Sequence, residues 1–174
     1  MDYSVVVATR NRLDALKLSL PLLLAQTRPP LEIIVVDSTD APEPIRGIVA
    51  EVARTTAIPV SYLHSAPGAS LQRNIGLARA RGAVTLFPDD DSMFFPDAME
   101  RVMRIYERDA AGLIGGVCAS EINRPPPAIA GAAKASYVRA PKEAAIGMTA
   151  RRRAFSHARR RAVMPMAASF GART

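Results

Sequence analysis

Apolar and polar positions along the first two thirds of the chain switch between a two-residue and a three-to-four-residue period. Tyr3-Ser4-Val5-Val6-Val7-Ala8 is a compact β-branched run and predicts a first strand. After the polar turn Thr9-Arg10-Asn11-Arg12, Leu13, Leu16, Leu20 and Leu24 recur at spacings of three and four, the stripe of an amphipathic helix. Pro21 falls inside that stripe and predicts a kink or a late helix start, and Pro29-Pro30 ends the segment. Leu31 to Asp37 is nearly unbroken in apolar residues, as a parallel strand covered on both faces should be. Glu43 to Thr55 carries Ile45, Ile48, Val49 and Val52 as a second helical stripe. Ile58 to Leu63 is a short, proline-bearing strand, expected near a sheet edge. Pro67-Gly68-Ala69-Ser70 opens a third helix, with Leu71, Ile75 and Ala78 as its apolar face and Gly82 as its close. Ala83 to Phe87 predicts a fourth strand. Pro96 to Arg108 predicts a fourth helix with Met99, Val102, Met103 and Tyr106 inward, and Leu113 to Cys118 a fifth strand.

Strands alternating with helices at these spacings mean βαβ units. The fold class expected is α/β, a Rossmann-like, mostly parallel sheet with helices on both faces. After Ser120 the pattern dissolves. Pro125-Pro126-Pro127 breaks the chain, and 121–174 is a less regular segment rich in Pro, Ala and Arg. The 174 residues, 49% of them apolar, suit one globular domain with a real core. A single cysteine, Cys118, excludes an internal disulfide and reads as a small core residue. No apolar run reaches membrane-spanning length, and Met1-Asp2-Tyr3 lacks the basic start of a signal peptide, so a cytoplasmic setting is expected.

Charge changes that picture in one respect. The net +7 belongs to the tail: residues 134–174 hold ten Lys or Arg against Glu143, a net of +9, while residues 1–133 hold thirteen bases and fifteen acids, a net of −2. The triplets Arg151-Arg152-Arg153 and Arg159-Arg160-Arg161 could draw the chain to an anionic membrane face as a peripheral contact. Nucleic-acid binding is disfavoured, since Phe155 is the lone aromatic between the triplets. A solvated basic end is the plain alternative.

The candidate chemistry gathers at Phe87-Pro88-Asp89-Asp90-Asp91-Ser92, at the end of the fourth predicted strand. Asp89 and Asp91 are two apart and in extended backbone point to the same side. Like charges that close repel unless a cation sits between them. Mg²⁺ or Mn²⁺ answers that need with oxygen ligands and leaves positions open for substrate phosphates. A solvated acidic turn capping the next helix is the competing explanation. Ligands of parallel α/β sheets bind outside the carboxyl ends of the strands. Three polar groups fall there: Thr9 to Arg12, Asp37, and Asp89 to Asp91. That convergence favours a ligand site.

The order Ser4-Val5-Val6-Val7, Thr9-Arg10-Asn11-Arg12, Ala25-Gln26-Thr27, Glu32 to Asp37, Arg73-Asn74-Ile75-Gly76-Leu77-Ala78, and Leu86 to Asp91 resembles glycosyltransferase family 2 over about residues 3–120. The resemblance implies a GT-A fold and a nucleotide-diphosphate sugar donor, a UDP-sugar foremost. Residues 1–120 would be the nucleotide-sugar-binding domain and 121–174 a partial acceptor region or tail. Thr9, Arg10 and Asn11 would line nucleobase and ribose. Asp37 would accept a hydrogen bond from the base, with a helix cap or loop anchor as its structural alternative. Arg73 would lie against the nucleotide or its phosphates. Asp89, Asp90 and Asp91 would be the DxD motif, with Asp89 and Asp91 as metal ligands and Asp89 and Asp90 nearer the sugar and ribose. The acceptor would be a sugar or a lipid-linked saccharide.

Two departures matter. The stretch Asp37-Ser38-Thr39-Asp40 is shorter than the family's and lacks its glycine. Inverting transfer needs a general base to deprotonate the acceptor, and the only acids past Asp109 are Glu121 and Glu143. Glu121, just after the fifth predicted strand, is the better candidate for a catalytic role. The function expected is metal-assisted, inverting sugar transfer with poor turnover by this short chain. A donor-binding remnant without turnover is the alternative. His64 reads as structural or exposed, and His157 lies among arginines without an assigned role.

Overall fold

The computed structural model describes residues 1–119 and 161–163. Strands and helices alternate: β1 (Tyr3–Thr9), α1 (Leu13–Leu24), β2 (Glu32–Asp37), α2 (Glu43–Thr55), β3 (Val60–His64), α3 (Ala69–Arg79), β4 (Val84–Leu86), α4 (Ala98–Arg108) and β5 (Arg161–Val163). The sheet order is β3-β2-β1-β4-β5, and every pairing is parallel. β1 and β2 are buried on both faces, which is why their sequences run apolar without alternation. β3 lies at the edge, as Pro59 just before it and its half-polar pattern predict. From β1 the chain winds through β2 to β3, then returns across β1 to β4. The strand order therefore reverses between β1 and β4, and the crevice at their carboxyl ends is the topological switch point.

Alternate residues of β1 feed two cores. Tyr3, Val5 and Val7 pack with Leu16, Leu20 and Leu23 of α1, Ile45 and Val49 of α2, and Met99, Met103 and Tyr106 of α4. Val6 faces the other way, with Ile34, Val36, Ala80 and Phe87, under α3. Fully burying each such aliphatic side chain contributes about 1.5–3 kcal/mol, so the central strands carry much of the stability. α1 starts at Leu13 and runs through Pro21. Pro21 is on the exposed side, where water can replace the backbone bond it removes. Gln26 ties the following turn to α4. Its Oε1 accepts from the Met99 amide at 3.0 Å, and its Nε2 donates to the Leu22 and Phe95 carbonyls. That bond caps a helix whose own N-cap side chain makes none.

Four expectations are corrected here. Leu113 to Cys118 forms no strand: Gly115-Gly116 offers no side chains to bury, Leu113 is exposed, and Val117 is the one residue of the run that is buried. The place beside β4 is taken by Arg161–Val163, from the basic segment. With no strand to turn it inward, Cys118 is exposed and is not a core residue. On α3 the buried residues are Gln72 and Gly76; Leu71 and Ala78 are exposed. A Cβ on Gly76 would meet Val6 Cγ1 at 2.2 Å, so glycine sets how closely α3 lies on the sheet. Gly82 does not end α3, which stops at Arg79. It passes under β1, where a Cβ would stand 2.4 Å from the Ser4 amide nitrogen.

Candidate functional site

A cleft of about 370 Å³ opens at the switch point, lined by Ala8, Thr9, Arg10, Arg12, Ala69, Gln72, Arg73, Asp89, Asp90 and Asp91. The backbone puts the acidic turn there. Asp89 forms a parallel bridge with Ala8 just beyond β4, and the Ser92 amide donates to the Asp89 carbonyl at 3.1 Å to close the turn. Two arginines meet the three carboxylates. Arg73 Nη2 donates to Asp89 Oδ1 at 2.8 Å. Arg12 Nη1 lies 2.9 Å from Asp90 Oδ1 and 3.0 Å from Asp91 Oδ2. The Thr9 hydroxyl donates to the other Asp90 oxygen at 2.7 Å.

Environment separates the three acids. Asp90 is 5% exposed, while Asp89 and Asp91 are half-buried. Burial pushes the Asp90 carboxyl above its ordinary range, against the pull of the Thr9 hydroxyl and Arg12 and with a further push from Asp91. Arg12 moves up in turn, chiefly through the charge of Asp90.

Gln72, which apolar periodicity placed outside any role, joins the cleft to the sheet. Its Nε2 donates to the Thr9 carbonyl at 2.8 Å and to the Val36 carbonyl at 2.7 Å, at the ends of β1 and β2. Its sequence signal was faint: Gln72, Gly76 and Ala80 recur at spacings of four, a small and polar stripe opposite the expected apolar one.

The β1–α1 turn is locked to the β2–α2 loop. Asn11 holds a positive φ of 54°, a conformation asparagine tolerates better than most residues. Its amide donates to Thr39 Oγ1 at 2.8 Å and its Nδ2 to Asp40 Oδ2 at 3.2 Å. Arg10 pairs with the exposed Asp40 at 3.3 Å. The Asn11 hydrogen bond, then the Arg10 charge, hold the Asp40 carboxyl below its usual range.

Asp37 is fully buried. Its Oδ1 accepts from the Thr39 amide at 2.8 Å and the Thr39 hydroxyl at 2.5 Å, and its Oδ2 from the Tyr62 hydroxyl at 2.9 Å. Burial first, then the bond to Asp37, push the Tyr62 hydroxyl up to about 12, so it stays a donor. Both oxygens of Asp37 accept hydrogen bonds from the protein, and neither Asp37 nor Asn11 lines the cleft. His64 sits beside this loop, with Nε2 3.1 Å from the Thr39 carbonyl. Glu121, His157 and most of the basic tail lie outside the described residues.

The donor set fits Mg²⁺ or Mn²⁺ in part. Among the described residues no three His, Cys, Asp or Glu side chains form a group that could hold a metal ion. Asp89 Oδ2 and Asp91 Oδ1, however, have no hydrogen-bond partner among the described residues, and both residues line the cleft. One or two carboxylates completed by substrate phosphates are a common way to hold Mg²⁺.

The family-wide sequence profile of Glycosyl transferase family 2 matches residues 4–129. The chain belongs to glycosyltransferase family 2. An uncharacterised glycosyltransferase of Bacillus subtilis, YwdF, is 32% identical over 108 residues, which is 62% of this chain and 39% of that protein. TuaG of the same organism, named as a putative teichuronic acid biosynthesis glycosyltransferase, is 32% identical over 112 residues, 62% of this chain and 43% of TuaG. The matched stretch thus spans less than half the length of either relative. In fold, the chain resembles TarS of S. aureus. The TarS 1–349 structure with UDP-GlcNAc aligns with TM-score 0.57 at 24% identity, over 73% of this chain and 37% of TarS 1–349. The TarS 1–349 structure with UDP gives TM-score 0.58 at 21% identity. These glycosyltransferase structures share the α/β, mostly parallel architecture described above. Of the residues expected for the family 2 site, Thr9, Arg10, Arg73, Asp89, Asp90 and Asp91 are brought together in one cleft. Arg12, absent from that expectation, is the most heavily paired cation of the site. No helix among the described residues is long and apolar enough to cross a membrane.

Proposed function

We propose that this chain binds a nucleotide-diphosphate sugar, a UDP-sugar foremost, in the cleft between β1 and β4, and serves metal-assisted, inverting transfer of the sugar to an acceptor hydroxyl. The carrying observation is the pairing of Asp89, Asp90 and Asp91 with Arg12 and Arg73 at the switch point of a family 2 sheet. The UDP and UDP-GlcNAc complexes of TarS support a UDP donor. Asp89 and Asp91 would hold the cation through their unpaired oxygens. When bound, Mg²⁺ or Mn²⁺ would neutralise charge on the departing diphosphate.

The chain's own residues do the rest. Arg73 and Arg10 face the cleft and can make charge-assisted bonds to phosphate oxygens. Asp90, itself held by Thr9 and Arg12, fixes the wall between β1 and the acidic turn. Asp37 and Tyr62 hold the β2–α2 loop in place for the base side of the nucleotide. Glu121 is the proposed general base toward an acceptor sugar or lipid-linked saccharide.

Calorimetric titration of UDP with Mn²⁺ and again with EDTA tests the donor reading. Cation-dependent binding is expected, and equal affinity in both removes the metal from the proposal. Nucleotide release from UDP-sugars, with and without saccharide acceptors, reads turnover. Glu121→Gln should leave UDP binding intact and abolish acceptor-dependent release; release at the wild-type rate excludes Glu121 as the base.

A further inference from the structure

Arg12 stands where a helix does not want it. It is the N-cap residue of α1, a position that favours Ser, Thr, Asp or Asn, and its side chain makes no cap bond. The positive end of the helix dipole disfavours a cation there as well. A locally unfavourable residue held in place by its surroundings points to a task in those surroundings. The surroundings are specific. Asn11, at φ 54°, turns the backbone just before Arg12 and is pinned by Thr39 and Asp40. The Arg12 guanidinium then crosses the cleft to Asp90, 78 positions away, and to its neighbour Asp91, and touches both carboxylates with a single nitrogen.

We propose that Arg12 is a resident counter-ion of the acidic turn. It occupies the charge position between Asp90 and Asp91 while the site is empty, competes with a divalent cation for Asp91, and turns to the diphosphate of the donor once the cation is seated. The inference rests on the donor-site reading above. Asp89, Asp90 and Asp91 against Arg12 and Arg73 leave a net charge of −1, and Arg10, which also lines the cleft, is paired with Asp40, so the empty site is nearly balanced without metal. A cation arriving alone on Asp91 Oδ1 competes with Arg12, whose Nη1 stands 3.0 Å from Oδ2, for the charge of that one carboxylate and pushes the guanidinium away. A cation arriving with a diphosphate brings the displaced guanidinium a new partner, because Arg12 already lines the same cleft and half of its side chain is exposed. The device thus favours loading of cation and nucleotide together over cation alone.

The test titrates Mn²⁺ alone into the wild-type chain, Arg12→Gln and Arg12→Lys, with free Mn²⁺ read by electron paramagnetic resonance. UDP is then titrated at saturating Mn²⁺. Loss of one half-exposed guanidinium that contacts two carboxylates should tighten Mn²⁺ binding by about ten-fold in Arg12→Gln. UDP affinity at saturating Mn²⁺ should fall by a similar factor. Arg12→Lys keeps the charge and should bind Mn²⁺ as the wild type does. Equal, weaker or absent Mn²⁺ binding by Arg12→Gln overturns the counter-ion role, as does Arg12→Lys behaving like Arg12→Gln. Unchanged UDP affinity overturns the transfer of Arg12 to the diphosphate. If the wild type binds no UDP at all, the donor reading fails, and the Mn²⁺ comparison still decides the counter-ion.

Discussion

Gln72→Leu is the perturbation that most directly weighs how the site is attached to the sheet. The wild-type amide donates from one nitrogen to the Thr9 and Val36 carbonyls, at 2.8 and 2.7 Å, and the residue is 4% exposed. Leucine has similar bulk and no donors. Each lost bond costs about 0.5–1.5 kcal/mol net. The Thr9 carbonyl still accepts from the Ser38 amide at 3.1 Å, so that group is not left bare. Both losses together should cost about 2 kcal/mol, near the middle of the range for two such bonds. For a chain of this size that lowers Tm by roughly 4–8 °C. Gln72→Glu should be worse at pH 7, because it sets a buried carboxylate against two carbonyl oxygens. Its deficit should shrink as acid protonates the new carboxyl and restores a donor. Thermal unfolding followed by circular dichroism, at pH 7 and pH 5, reads all three proteins. A Gln72→Leu melt within 1 °C of wild type, or a Gln72→Glu protein more stable than Gln72→Leu at pH 7, would refute the reasoning.

Gly76→Ala should destabilise by about 1–3 kcal/mol, since its Cβ meets a buried valine of the central strand and overpacking outweighs the gain in helix propensity; an unchanged denaturant midpoint would contradict this. Asp90 sets a pH dependence. An acid whose folded pKa is raised binds its proton more tightly when folded, so its charged form costs stability at neutral pH, and that cost fades as pH falls through the raised folded value toward the ordinary one near about 3.9. Wild type should therefore gain on Asp90→Asn as pH drops from 8 toward 4, and a melting-point difference that is flat or runs the other way sinks the argument. Asp91→Asn should weaken Mn²⁺-dependent UDP binding more than Asp40→Asn, because Asp91 borders the cleft and Asp40 is an exposed partner of Arg10. Calorimetry giving equal losses for the two would remove Asp91 as a metal ligand.

The parts of the fold that were legible are those where burial and periodicity agree. β1, β2, α1, α2 and α4 bury the apolar residues their spacing marks, because each lies against a sheet face that water does not reach. α3 broke the rule for a physical reason. Its inner face meets the sheet at close range, so it carries Gln72 and Gly76, and Leu71 is pushed outward. Apolar periodicity cannot see a face selected for closeness and for hydrogen bonds to strand ends. The fifth strand failed differently. Leu113 to Cys118 is apolar in pattern, but Gly115-Gly116 offers nothing to bury, and Arg161–Val163 holds the edge beside β4.

The site was legible at its charges and illegible at its contacts. Asp89, Asp90, Asp91, Thr9 and Arg10 declare themselves because a parallel sheet delivers its strand ends to one rim, so polar residues at those ends must meet, whereas Arg73, within α3, was marked by the family resemblance alone. Which acid meets which base depends on a few degrees of turn geometry that spacing does not encode. Asp37 has the strand-end position of a ligand residue, yet the compressed loop after it turns Thr39 back onto its carboxylate and lets Tyr62 take the remaining oxygen. Arg12 shows the converse. It fell within the polar turn Thr9 to Arg12 without a role of its own, but an arginine at a helix N-cap conflicts with local preference, and that conflict was itself a readable signal. A polar residue that satisfies its own element needs no distant partner, whereas one that violates it must be compensated from elsewhere in the fold. In this chain the compensation comes from Asp90 and Asp91, the residues around which the cleft is built.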